Sequence, residues 1–167
     1  MHCKSNILLF FVLSIISCSE PKLKHSNEPY TLTASTGKYV RNGNDPSLLV
    51  NVVLSNNTKD TLKYISWTCP ENTEYDVQSD VLKHYQMIIC NATFPQELDL
   101  APHKSKETEV ELFFKSSFHG GVIHYQMLFE LYDNPKKYFE MYMKNHRNEI
   151  TPKEVQSNAV EMYIDRY

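Results

Sequence analysis

The chain has 167 residues and a formal net charge of −3, with 22% charged and 41% hydrophobic residues. That length holds one domain with a buried core, and the charge balance carries no basic stripe or tail, which argues against nucleic acid as a partner. Its four glycines, at 37, 43, 120 and 121, allow neither GxGxxG nor a P-loop, and neither GxSxG nor HExxH occurs.

In chain order, the first feature is the apolar run Ile7–Ile16 behind Lys4, the charged-then-apolar order of an export signal. The run is shorter than the roughly 20 apolar residues that a bilayer-spanning helix needs. It closes in Ile15-Ile16-Ser17-Cys18, which resembles the lipobox of bacterial lipoproteins. That resemblance implies that residues 1–17 are a signal peptide, that Cys18 is the first mature residue, and that Cys18 carries several acyl chains. Two or more chains anchor a protein stably to a membrane surface without spanning it. An ordinary signal peptide with an incidental Cys18 is the plainer alternative. Ser19 does not resemble the inner-membrane retention Asp, which favours an outer membrane.

Residues 18–28, rich in polar side chains, read as a flexible tether, and 29–167 as the folded domain. Pro29–Thr36 alternates as a first strand with Tyr30, Leu32 and Ala34 on one face. Asn42–Pro46 is a turn cluster. Leu48, Val50, Val52 and Leu54 then share one face of the clearest strand, with a second turn over Asn56–Asp60. Leu62–Cys69 reads as a strand with Lys63, Ile65, Trp67 and Cys69 on one face, which makes Trp67 the expected large core residue. Pro70–Asp80 reads as a long loop and Val81–Cys90 as a strand. With Cys3 leaving in the signal, Cys69 and Cys90 remain as an even pair in an exported protein, so they are expected either to form a disulfide pinning that loop or to stay as two buried thiols.

Glu97–Leu100 alternates briefly, and Glu107–Lys115 sets Val110, Leu112 and Phe114 against an outward row of glutamates. Gly120-Gly121 opens Val122–Tyr132, whose nearly continuous apolar character predicts a central strand covered on both faces. Asn134-Pro135 suits a helix start, and Tyr138, Phe139, Tyr142 and Met143 form an apolar helical face, with a strand over 138–143 as the alternative. Ala159–Asp165 is the last strand.

The expected fold is therefore all-β, a sandwich of about seven to eight antiparallel strands, with a small closed barrel as runner-up. Strand order and turn chemistry resemble the small immunoglobulin-like domains of bacterial envelope lipoproteins. The close spacing of Cys69 and Cys90 departs from the antibody-type disulfide.

Chemical motifs are few. Ser35-Thr36-Gly37-Lys38 matches the acylating S-x-x-K of β-lactamases, but this serine leaves a strand and no partner motif follows. Met141, Met143 and His146, with His124 and Met127, form a thioether and imidazole set of the type that holds Cu(I), and equally a set of packing residues. Glu107, Glu109 and Glu111 with Asp99 could suggest calcium, but they read as a solvated strand face. Asn56 and Asn91 open glycosylation triplets, and Asp60-Thr61-Leu62 resembles an O-glycosylation triplet of exported Bacteroidetes proteins. The expectation is a lipid-anchored, non-enzymatic binding or accessory module without a cofactor, working with an envelope protein partner. A proteinase inhibitor presenting Pro70–Asp80, or a copper-binding protein, is the alternative.

Overall fold

The period-two run through Leu48, Val50, Val52 and Leu54 buries all four side chains completely. They lie in β3 (Asp45–Asn56), the longest strand of a computed structural model that describes residues 28–42, 45–68, 72–84, 94–144 and 150–165. β1 (Tyr30–Ala34) and β2 (Lys38–Asn42) pair in line along one side of β3, β8 (Ser105–Phe114) along the other, and β6 (Leu82–His84) beyond β8. A second sheet centres on β9 (Gly121–Leu131), flanked by β5 (Tyr75–Gln78) on one side and by β10 (Lys153–Gln156) and β11 (Val160–Ile164) in line on the other. β4 (Leu62–Trp67) pairs with β7 (Pro95–Leu100). Every pairing among the described residues is antiparallel, and the single buried cluster draws on all three sets of strands. The protein is an all-β sandwich with one helix among the described residues, α1 (Pro135–Met143).

Two edges of the sandwich, β1/β2 and β10/β11, are interrupted, and each interruption is tied across to the other sheet, the second by the Asn158 side chain on Ala34. Between β1 and β2 the buried Tyr125 hydroxyl of β9 donates to Ser35 O (2.7 Å) and accepts from Gly37 N (3.0 Å). The S-x-x-K residues are thus a crossing point of the backbone. A Cβ on Gly37 would stand 2.5 Å from Leu48 Cγ, so only glycine fits there. Between β10 and β11, three residues oppose two of β9. This bulge is closed by Ser157, whose N–H donates to Met127 O and whose hydroxyl accepts from Met127 N, both at 2.9 Å.

Three expectations are corrected. Trp67 is not the central core residue: Leu62, Tyr64 and Ser66 point inward, and Tyr64 meets Phe129 with ring centroids 5.4 Å apart. On the opposite face of β4, exposed Lys63 sits between Glu97 (2.6 Å) and Asp99 (3.3 Å) of β7, whereas Ile65 is buried. Trp67, half-buried on this outer face, meets Tyr142 of α1 edge-on at 4.8 Å. Second, β9 is central in its sheet but fully buried on one face only, the other running from exposed at Val122 and His124 to half-buried at Leu128 and Glu130. Ile123, Tyr125, Met127 and Phe129 are buried, whereas Val122 and His124 face solvent opposite Tyr163 and Glu161. Third, Pro70–Asp80 is not a loop throughout, because Tyr75–Gln78 forms β5 against β9 and Glu74 and Tyr75 are buried. The strand expected over Val81–Cys90 is described only as β6.

The helix forms where the sequence placed it. Asn134 caps it, its side chain accepting from Lys137 N at 2.9 Å, and Pro135 takes the first turn, where a missing N–H costs nothing. Tyr138 packs over Tyr132 at 4.0 Å.

Candidate binding surface

Among the sequence-selected residues, Cys18, Cys69, Cys90, Asn91 and His146 lie outside the described part of the chain. Met141 is half-buried on α1 and Met143 is exposed on its last turn. Met127 is fully buried in the core, while His124 stands on the opposite, solvent face of the same strand, 3.5 Å from Glu161. The strand's alternation therefore separates Met127 from His124. Among the described residues no group of three His, Cys, Asp or Glu is placed to hold a metal ion. The glutamates of β8 bond across to β3: Glu111 accepts from Ser47 Oγ (2.6 Å) and Glu107 from Asn51 Nδ2. Asn56 is buried, and its amide donates to Asp60 O, Leu100 O and Ala101 O, so a glycan at that triplet is incompatible with the fold.

The sequence pattern missed a buried carboxylate. Glu74 reads as part of a polar loop, yet its side chain is 1% exposed at the entry to β5, and its backbone O accepts from Glu130 N. Ser66 Oγ donates to its Oε2 (3.0 Å), and Lys106 Nζ from β8 lies 3.7 Å from its Oε1, which has no hydrogen-bond partner. Lys106 also donates to Tyr64 OH (3.1 Å). A charge taken out of water in this way is tolerated only with a counter-charge and hydrogen bonds at hand. The group therefore clamps β4, β5 and β8 together.

A cleft of about 670 Å³ opens where the edges of the two sheets meet. Its walls are the start of β1, from Glu28 to Leu32, and β10 with the bulge behind it, from Lys153 to Asn158. At its closed end Asn158 Nδ2 donates to Ala34 O (3.0 Å) and Asn158 Oδ1 accepts from Ala34 N (2.9 Å). At its open end Lys153 pairs with Asp133 (2.8 Å), just before the Asn134 cap. Glu154 is exposed on the cleft wall and stands opposite Glu130 in the sheet. Burial raises the Glu130 pKa, with the nearby charges of Asp76 and Glu154 adding to it and the Tyr132 hydroxyl at 3.0 Å opposing it.

A carboxyl whose folded pKa lies above its unfolded one favours folding most below the unfolded value. That advantage is lost as pH rises through the folded value. Glu130→Gln is accordingly expected to raise stability at pH 7 by more than at pH 4, read from urea melts at the two pH values. Equal effects at both would remove burial of the charge as the cause.

A second surface feature is apolar: Phe139 and Met143 on the helix are exposed at 39% and 60%, and Phe94, just before β7, at 58%. Among the described residues no helix is long and apolar enough to cross a membrane. No protein-family model matches the chain, and no curated protein matches its sequence. What can be said of its class rests on the fold, an all-β sandwich, and on the cleft at its edge.

Proposed function

We propose that this chain is an exported lipoprotein of a bacterial cell envelope, held by lipid on Cys18, whose sandwich is a non-enzymatic binding or accessory module for an envelope protein. The observation that carries the reading is the order of segments. An apolar run ends in Ile15-Ile16-Ser17-Cys18, a polar stretch follows, and alternating strand sequence begins at Pro29, beside the cleft. Residue 19 favours the outer membrane, with the domain in the periplasm or outside the cell.

The strand order supports an immunoglobulin-like reading. β1/β2, β3, β8 and β6 against β5, β9 and β10/β11 follow the A-B-E-D and C-F-G arrangement of constant-type domains, with β4–β7 as an addition. Fold alone assigns no activity, so the role rests on the site.

The test is a mass spectrum of the mature N-terminus together with cell fractionation. Wild-type protein is expected to begin at an acylated Cys18 and to sediment with membranes, and Cys18→Ser to lose both properties. An unmodified mature N-terminus in the wild type would overturn the anchor. A crosslinked pull-down of the tagged protein from intact cells tests the accessory role separately, and one stoichiometric envelope partner is the expected outcome.

A further inference from the structure

The cleft has a chemistry that its side chains alone do not display. Asn57 N–H donates to Pro29 O and Ser35 N–H donates to Asn51 O, so the odd-numbered residues of β1 direct their backbone groups at β3. In an antiparallel ladder the alternate residues then turn theirs away, which aims the N–H and C=O of Tyr30, Leu32 and Ala34 off the sheet edge. On β10 the bond from Ser157 N–H to Met127 O sets the same alternation, and Glu154 and Gln156 aim theirs away from β9.

Ala34 shows what such a pair accepts. The Asn158 carboxamide donates to its O at 3.0 Å and accepts from its N at 2.9 Å, standing where the peptide group of a neighbouring strand would stand. Beyond Asn158, the outward groups of Leu32, Tyr30, Gln156 and Glu154 border the cleft. Unpaired edge groups of this kind are a template for another extended chain.

We propose that the cleft binds an extended segment of a partner polypeptide, which adds as a strand along β10 and carries a basic side chain toward Glu154. Rows of alternating donors and acceptors repeat every second residue, roughly 7 Å apart, a spacing that an extended backbone matches and a compact metabolite does not. Pro152 and the Asn158 bulge bound the edge, which restricts the added strand to a few residues. The charge preference follows because, of these two exposed side chains, Lys153 is already ion-paired with Asp133, whereas no described cation pairs with Glu154. The inference deepens the binding-module reading and rests on it, but it does not need lipid on Cys18.

The test uses the full mature protein in detergent and a fluorescent probe, the N-acetylated amide Val-Lys-Val-Lys-Val. A second probe has the same sequence with alternate backbone nitrogens methylated. Anisotropy is expected to show saturable binding of the first probe and about a tenfold or greater loss for the second. Gln156→Pro removes one outward donor and no ladder bond, so it is expected to keep the wild-type circular dichroism and to weaken the first probe by a similar factor. The methylated probe reports on wild-type protein and so needs no variant to fold. No saturable binding, or binding indifferent to methylation, overturns strand addition at this cleft. A partner still captured from cells would then be held by another surface, which separates failure of the cleft from failure of the accessory role.

Discussion

Lys106→Met is expected to destabilise the fold by about 3–5 kcal/mol, a loss out of proportion to a side chain that is one-third exposed. A lysine with that much solvent around it contributes little as an ion pair in its own right, since exposed pairs are worth about 0–1 kcal/mol. The loss comes from the other partner. Glu74 is 1% exposed, its Oε2 has one donor in Ser66 and its Oε1 has none, so Lys106 at 3.7 Å is the one cation that the described contacts bring to the carboxylate. Removing the lysine leaves a buried charge uncompensated, which is where the large costs of broken pairs arise. The double variant Glu74→Gln with Lys106→Met is accordingly expected to recover most of the loss, and the difference between the two urea midpoints measures the penalty. A cost near that of a surface pair for the single variant would show that Glu74 finds another partner when the lysine is gone.

Glu74 also marks where reading from sequence stops. β3 and β8 are legible because Leu48 to Leu54 and Val110 to Phe114 keep one apolar face through several alternations, and a slip of one residue would turn every one of them to water. The helix is legible because Asn134-Pro135 is a local signal with a local cause. β2, β5 and β10 are short edge strands with few apolar residues, and they exist because β3 and β9 offer them a ladder. No local pattern encodes that offer. The same holds for the cleft: Ala34 and Asn158 are 124 residues apart in sequence, and the groups that define the site are backbone atoms that every residue carries. The anchor at Cys18 is the reverse case, a short linear pattern that is read without any fold at all.

Phe129→Ala is expected to cost about 3–5 kcal/mol, and Trp67→Ala less than about 2 kcal/mol, although tryptophan is the larger residue and the sequence pattern placed it in the core. Phe129 is fully buried on β9 and its ring meets Tyr64 at 5.4 Å and Tyr75 at 5.3 Å, so one side chain joins the second sheet to β4 and fills the space beside the Glu74 clamp. Truncation removes its transfer energy and leaves a cavity among residues held by their own hydrogen bonds, Tyr64 to Lys106 and Tyr75 to Thr108, which limits collapse. Trp67 is half-buried on the outer face of β4, where its main described ring contact is Tyr142 of α1, and water or a shift of the helix replaces what it loses. Alternation in β4 is ambiguous because both faces carry large residues. The deciding signal is Lys63, whose two acidic neighbours on β7 become visible only once the strands are paired. Chemical melts of the two variants read the order directly. Trp67→Ala costing more than Phe129→Ala would move the structural centre of the domain from the inter-sheet tyrosines to the contact between α1 and β4.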